Sequence, residues 1–153
     1  MLIRFKTDFS KYGYDGFEGV ISFVEDTTIC YDVAYQSNDT ITADVLEEKF
    51  EQGVKRIRIF DHGGIGGNYN NYCNGSLTLI LPSGTTVDIN GTLDSENNCD
   101  WLTIYDNSVE KIKQSGSQTI TYSSTSNIIT IKFTSDYSNV RSGFDLILKI
   151  KKE

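Results

Sequence analysis

The stretch Cys99-Asp100-Trp101-Leu102-Thr103-Ile104-Tyr105-Asp106 indicates the fold class of this chain. Its central residues, 101–105, combine aromatic and β-branched side chains, which are enriched in strands because they pack well on a pleated surface. The dipeptide Asp106-Asn107 that follows is a turn signal. We therefore predict a short β-strand that ends in a turn.

Similar strand-forming runs lie on both sides of this stretch, separated by turn signals such as Pro82-Ser83-Gly84 and Asn90-Gly91. The predicted strands are 2–5, 19–24, 28–33, 54–60, 77–81, 86–93, 101–105, 119–122, 128–133 and 144–150. Short strands at this spacing predict an all-β protein with an antiparallel β-sandwich. Residues 43–53 are ambiguous between a helix and a hairpin; we favour a short helix, with Thr42 as its N-cap and Gly53 just past its end.

The composition excludes several classes of function. The chain has 153 residues, with 21 acidic and 14 basic side chains and a net charge of −7, so it repels phosphate backbones and no nucleic-acid partner is expected. No run reaches the ~18 apolar residues of a membrane-spanning helix, so no membrane insertion is expected. The single histidine, His62, excludes multi-His metal sites. It has no evident nucleophile nearby in the sequence, so we predict an exposed loop histidine, no catalytic residues and no enzyme activity.

An internal repeat predicts the domain organisation. Residues 3–10 match residues 131–138, and Gly16-Phe17-Glu18 matches Gly143-Phe144-Asp145. A partial match of this kind is expected when a tandem array is cut inside one unit. We predict that 1–24 are tail strands of a preceding repeat, 25–52 a linker or accessory segment, and 53–150 a complete domain.

The complete unit resembles a CUB domain, a family with a jelly-roll β-sandwich. Four stretches carry the resemblance, in the family's order: the tyrosine-and-asparagine loop 67–72, the strand and turn 77–84, the "CDYLxIYDG"-like strand 99–106, and the "SDxSN…GF"-like ending 134–144. Residues 59–69 are also similar to CUB-like modules of large bacterial surface proteins. The resemblance implies an extracellular or cell-surface location, although Met1 to Lys6 show no signal-peptide h-region.

The resemblance also implies a calcium site. Many CUB domains hold calcium with three carboxylates, and the corresponding residues here are Asp94, Asp100 and Asp136. Ser138 and Asn139 would add oxygen ligands, and Glu96 is a substitute for Asp94. Calcium takes six to eight oxygen ligands, which suits such a cluster. The alternative is that these aspartates cap turns and stay solvated.

The loops that carry Cys73 and Cys99 are expected to meet beside this calcium site. We therefore predict a disulfide between the two cysteines, which would stabilise the fold by about 3 kcal/mol. Two reduced thiols are the alternative. Cys30 is predicted to be a buried thiol within a strand, and a reactive thiol in the linker is the alternative.

Two functions follow from these features. The first is a non-catalytic, calcium-dependent extracellular adhesion module that recognises a protein or glycan through its loops. Tyr69, Tyr72 and Tyr137 are the predicted contact residues, because aromatic faces stack on sugars and anchor protein partners. The alternative is a structural subunit that self-associates into a fibre or surface array, through strand addition at the unpaired edges of residues 1–24.

Overall fold

The structure, a computed structural model, describes residues 28–152, which form two five-stranded β-sheets. The strands are β1 (Thr28–Val33), β2 (Asn38–Ile41), β3 (Arg56–Asp61), β4 (Asn74–Ile80), β5 (Thr85–Asp94), β6 (Trp101–Asp106), β7 (Val109–Gln114), β8 (Ser117–Ser123), β9 (Ile128–Thr134) and β10 (Gly143–Lys152). One sheet has the order β1-β3-β10-β5-β8 and the other the order β2-β4-β9-β6-β7. The predicted all-β sandwich is confirmed.

Most neighbouring strands run antiparallel, as predicted, but the pairs β1–β3 and β2–β4 are parallel. The sequence prediction missed β2 and β7. Both lie at the edge of their sheet, and most of their side chains are exposed. They therefore lack the alternation of buried and exposed residues that indicates a strand in a sequence.

The short helix of the ambiguous segment is present and is named α1 (Ala43–Glu51). Thr42 is its N-cap with extended backbone, and Gly53 follows the helix with a φ of 93°, a left-handed conformation that favours glycine. Leu46 is the buried residue of α1. The helix connects β2, at the edge of one sheet, with β3 in the other.

The described part of the segment 25–52 contributes a strand to each sheet of the sandwich. The strand β1 pairs with β3 from Thr28 to Val33, and β2 pairs with β4 from Asn38 to Ile41. The helix α1 lies between β2 and β3, so the chain passes from one sheet to the other in this region. The tail strands predicted for 1–24 lie outside the described residues.

The core between the sheets is formed by alternate side chains of the strands. Ile57 and Ile59 of β3 and Leu77 and Leu79 of β4 belong to one hydrophobic cluster, and all four are fully or almost fully buried. Burial of each such side chain contributes about 1.5–3 kcal/mol. Three aromatic rings of the core pack together. The ring centroid of Phe133 lies 4.9 Å from that of Tyr69 and 5.5 Å from that of Phe144.

The edge strand β7 carries charged side chains. Glu110, Lys111 and Lys113 of this strand are exposed. Charged residues on an edge strand disfavour pairing with another chain. Within residues 28–152, no helix is long and apolar enough to cross a membrane.

Candidate metal centre

Three loops meet at one end of the sandwich, which we call the loop end: residues 62–73, 95–100 and 135–142. Strand pairing brings them together, because Thr134 pairs with both Asn74 and Trp101, and Gly143 pairs with Asp94. The three loops leave the sheets at these positions. Residues that are far apart in the sequence are therefore neighbours at the loop end.

Tyr69 and Asp100 form the buried centre of the loop end, with 1 % and 0 % of their surface exposed. The Tyr69 hydroxyl donates a hydrogen bond to Asp100 Oδ2 at 2.5 Å and accepts one from the N–H of Glu96 at 3.1 Å. Asp100 Oδ1 accepts the N–H of Asp136 at 2.8 Å. Burial, followed by the hydrogen bond to Asp100, raises the pKa of Tyr69, which keeps its hydroxyl a neutral donor. Through these hydrogen bonds, Tyr69 and Asp100 join all three loops.

An acidic cluster lies beside this pair. Glu96, Cys99 and Asp136 each offer one ligand atom, and these atoms lie within 4.8 Å of one another. Glu96 Oε1 accepts a hydrogen bond from Asn139 Nδ2 at 2.8 Å, and Asp136 Oδ1 accepts the N–H of Ser138 at 2.9 Å. Glu96 Oε2 is buried and has no hydrogen-bond partner in the described part of the chain. A buried charged oxygen without a partner is costly, and a cation beside it would remove this cost.

The structure brings together most, but not all, of the residues predicted to hold a metal. Asp136 lies in the cluster, and Asp100, Ser138 and Asn139 are joined to it or to its neighbours by hydrogen bonds. The backbone turns at Asn139, which has a left-handed φ of 57°.

Asp94 lies outside the acidic cluster. Its carboxylate accepts hydrogen bonds from Ser117 Oγ at 2.8 Å and Ser142 Oγ at 3.2 Å, and it lies 4.0 Å from Arg141 Nη1. Asp94 is the last residue of β5, and its pairing with β8 and β10 directs it to these residues. Glu96, the substitute for Asp94, contributes the carboxylate to the cluster.

The predicted disulfide between Cys73 and Cys99 is wrong, because all three cysteines are free thiols. Cys73 is buried, with its Sγ 3.7 Å from the carbonyl oxygen of Phe133, whereas Cys99 is exposed at the acidic cluster. Burial raises the pKa of Cys73 to about 11, so this thiol stays protonated at neutral pH. Cys30 is also exposed, on the edge strand β1, and is not the buried thiol that we predicted.

His62 is partly buried and is not the exposed loop histidine that we predicted. Its Nε2 accepts the N–H of Asn70 at 2.8 Å, its Nδ1 lies 3.7 Å from Cys73 Sγ, and its ring lies 5.1 Å from that of Tyr35. Because Nε2 accepts a hydrogen bond, the neutral ring carries its proton on Nδ1. It is therefore not placed to take the proton of Cys73, and its role is to hold the loop 67–72.

This arrangement predicts a pH dependence of stability. Burial lowers the pKa of His62, although Asp61 and Asp32 act in the opposite direction. Because the unfolded chain binds a proton near pH 6.5 before the folded chain does, the free energy of unfolding should fall as the pH drops below about 6.5. Urea unfolding at pH 7.5 and 5.5 measures this change. The drop should be smaller in His62→Gln, and an equal drop in both proteins would contradict the role of His62.

Two of the three predicted contact tyrosines are exposed. Tyr72 and Tyr137 have 63 % and 69 % of their surface exposed, whereas Tyr69 is buried and is wrong as a contact residue. The N–H of Tyr72 bonds to the carbonyl oxygen of Asp136 at 2.6 Å, and Asn71 Nδ2 bonds to that of Tyr137 at 2.9 Å. Both exposed rings therefore lie on loops that are joined at the acidic cluster.

Neither a protein-family model nor a curated protein matches this sequence. Solved structures match it in fold. The CUB1-EGF-CUB2 region of human MASP-1/3 superposes with a TM-score of 0.59 and 17 % identity, over 74 % of this chain and 41 % of that one. The MASP-1 CUB2 domain bound to Ca²⁺ superposes with a TM-score of 0.55 and 22 % identity, over 62 % of this chain and 92 % of that domain. This chain has the CUB fold.

Two of the matching structures are much longer than the region that superposes on this chain. The full extracellular region of zebrafish Gpr126/Adgrg6 superposes with a TM-score of 0.57 and 19 % identity, over 78 % of this chain but 15 % of that one. The chain thus spans less than half the length of the MASP-1/3 and Gpr126 structures. At these identities the likeness establishes the CUB fold alone.

Proposed function

We propose that this CUB-fold chain is a non-catalytic, extracellular binding and adhesion module whose loop end holds a calcium ion and contacts a protein or glycan. The buried Glu96 Oε2, which lacks a hydrogen-bond partner in the described residues and lies beside Asp136, carries the proposal. The extracellular origin of the Gpr126 region and the Ca²⁺ bound to the MASP-1 CUB2 domain support it.

The residues at the loop end fit a calcium ion. Glu96 and Asp136 would provide carboxylate oxygens, with Asp100 behind them, and Ser138 and Asn139 offer hydroxyl, amide and carbonyl oxygens. Calcium prefers such hard oxygen ligands. When bound, it would neutralise the carboxylates and hold together the loops 95–100 and 135–142.

The contact surface would be the exposed aromatic residues beside this ion. Tyr72 and Tyr137 are the most exposed, and Val140, in the same loop as Tyr137, is also exposed. A tyrosine ring packs on apolar surface or on the face of a sugar while its hydroxyl forms hydrogen bonds. An ion that orders these loops would reduce the entropy that the contact residues lose on binding.

Calcium should raise the melting temperature of the wild-type protein by several degrees, because a ligand at a hundred times its Kd adds about 2.7 kcal/mol of stability. Asp136→Asn should abolish this shift, since it removes a carboxylate from the acidic cluster. Asp94→Asn is the matched control, which should keep the shift because Asp94 lies outside the cluster. Thermal melts with calcium and with EDTA measure the effect. No shift in the wild-type protein, or an equal loss in both variants, would contradict the site.

The binding role requires a separate measurement. Immobilised glycans and extracellular matrix proteins can be screened with the wild-type protein in calcium, and binding should be lost in EDTA and in Tyr72→Ala or Tyr137→Ala. Because both rings are exposed, the variants should melt at the wild-type temperature. Binding that is retained in EDTA would exclude the ion-mediated mechanism.

A further inference from the structure

The single histidine of the chain, His62, holds a loop segment that carries one of the proposed contact residues. This segment, residues 70–72, includes Tyr72 and is called the Tyr72 segment. The N–H of Asn70, its first residue, donates a hydrogen bond to His62 Nε2 at 2.8 Å. The same imidazole ring lies 5.1 Å from the ring of Tyr35, whose hydroxyl donates to a carbonyl oxygen of the segment at 2.8 Å. His62 therefore supports the Tyr72 segment both directly and through Tyr35.

Other hydrogen bonds of the Tyr72 segment come from hydroxyl, amide and backbone groups. Ser135 Oγ and Gln36 Nε2 donate to carbonyl oxygens of the segment at 2.7 Å and 3.2 Å. The N–H of Tyr72 donates to the carbonyl oxygen of Asp136 at 2.6 Å. Groups of these kinds keep their protons between pH 5 and pH 7, whereas an imidazole titrates in this range. Among the described residues, His62 is thus the contact of the segment that responds to pH.

The backbone conformation of Tyr72 depends on these contacts. Its φ is 60°, in the left-handed region, which is unfavourable for a bulky side chain and persists only where the surroundings enforce it. The side chain is 63 % exposed, so packing in the core does not hold it. The Tyr72 segment can therefore leave this conformation when one of its hydrogen bonds is lost.

We propose that His62 is a pH switch: when its ring takes up a proton, the Tyr72 segment is released and Tyr72 loses its position at the loop end. A protonated imidazole donates from both of its nitrogens and accepts from neither. Nε2 would then face the N–H of Asn70, and two donors at 2.8 Å repel each other. The consequence for a partner, which would leave the protein near about pH 5.5, rests on the proposed function.

The groups around the ring allow its protonation in mildly acidic solution. Burial lowers the pKa of His62, and the carboxylates of Asp61 on β3 and Asp32 on β1 act against burial. Two further titratable groups face the ring, the thiol of Cys73 at 3.7 Å from Nδ1 and the phenol of Tyr35. Burial raises the pKa of Cys73 to about 11, so this thiol stays neutral. The ring should therefore gain its proton as the pH falls below the ordinary histidine value of about 6.5.

Amide hydrogen exchange of the full chain, followed by NMR without a partner, tests the switch. The protection of the Asn70 N–H, corrected for the intrinsic effect of pH on exchange, should fall at least about three-fold between pH 7 and pH 5. His62→Gln should keep this protection, because the side-chain oxygen of glutamine accepts the same N–H at either pH. Tyr35→Phe is the matched control, since it removes another support of the segment and leaves His62 in place. This variant should still lose protection on acidification.

The outcomes separate this inference from the proposed function. An equal fall in the wild-type protein and His62→Gln, or no fall in the wild-type protein, would overturn the switch. The N–H of Ser95, which bonds to the carbonyl oxygen of Gly116, should stay protected throughout and so verify that the fold is intact. If calcium and partner binding fail while the protection of the Tyr72 segment follows His62, the proposed function fails and the inference stands.

A partner found in the binding screen provides a second measurement of the switch. The wild-type protein should bind it at least about three-fold more weakly at pH 5.5 than at pH 7.5, because binding favours the neutral form of His62. His62→Gln should bind it equally at both pH values. The same loss of affinity in both proteins would assign the pH dependence to another group and overturn the inference.

Discussion

Replacing Asp106 by alanine should lower the free energy of unfolding by about 2–3 kcal/mol, the cost of leaving buried hydrogen-bond donors without an acceptor. Asp106 ends β6 at the side of the sandwich opposite the loop end, and 2 % of its surface is exposed. Its carboxylate accepts hydrogen bonds from the Tyr122 hydroxyl at 2.7 Å, from the N–H of Thr125 at 2.7 Å and from Ser126. Without the carboxylate, these donors would lie next to the core with no acceptor.

The same carboxylate should make the stability depend on pH. Burial disfavours its ionised form, but hydrogen bonds from Ser126, Thr125 and Tyr122 outweigh burial and lower the pKa of Asp106 to about 2. An unfolded aspartate titrates near pH 3.9. The stabilisation is therefore complete above about pH 4 and is lost as the pH falls towards 2, by about 2 kcal/mol. Urea unfolding of wild-type protein and Asp106→Asn across this range measures the difference.

Tyr122→Phe is the control for the Asp106 variants. It removes one of the donors to the carboxylate and leaves those from Thr125 and Ser126 in place. Loss of one hydrogen bond costs about 1 kcal/mol. If Tyr122→Phe destabilised the protein as much as Asp106→Ala, the network around the carboxylate would not be the cause of the larger effect.

Replacing Gly143 by alanine should lower the free energy of unfolding by more than about 3 kcal/mol. Gly143 has a φ of 75°, in the left-handed region, and a Cβ at this position would lie 1.8 Å from Asp61 Oδ2. That oxygen accepts the N–H of Phe144 at 3.0 Å, at the start of β10. The methyl group would thus add backbone strain and also break a buried hydrogen bond.

Gly84→Ala separates these two effects. Gly84 has a φ of 71°, but a Cβ there would have no atom within 4 Å. This variant should therefore show the conformational cost alone, about 1 kcal/mol. Urea unfolding of the two variants tests the comparison, and equal losses would mean that the contact with Asp61 does not matter.

Local sequence patterns were sufficient to predict that the protein is a β-sandwich. The strands β3, β5, β9 and β10 alternate buried and exposed side chains, a period of two that is written directly into neighbouring residues. The helix α1 was predictable from its flanks, because Thr42 and Gly53 mark its start and end. The resemblance of residues 99–106 and 134–144 to CUB domains then identified the architecture, which the structure bears out.

Which residues form the acidic cluster depends on contacts that no local pattern contains. Tyr69 has the same residue type and a similar sequence setting to Tyr72, yet Tyr69 is buried against Asp100 and Tyr72 is exposed. Cys73 and Cys99 lie in neighbouring loops, yet one thiol packs inwards at Phe133 and the other lies at Asp136. The backbone path of each loop decides whether these side chains point into the core or towards solvent.

The sequence by itself determined the β-sandwich class and the strands with one buried face, since burial on a pleated sheet follows a period of two residues, but not the exposed edge strands β2 and β7. Only the tertiary structure decided that Glu96, rather than Asp94, joins Asp136. Asp94 is still in β5, where pairing with β10 and β8 directs its carboxylate to Ser117 and Ser142. Glu96 has left the strand, and its N–H is held by the hydroxyl of Tyr69, 27 residues earlier in the chain. A hydrogen bond between such distant residues forms only after the sheets have brought their loops together.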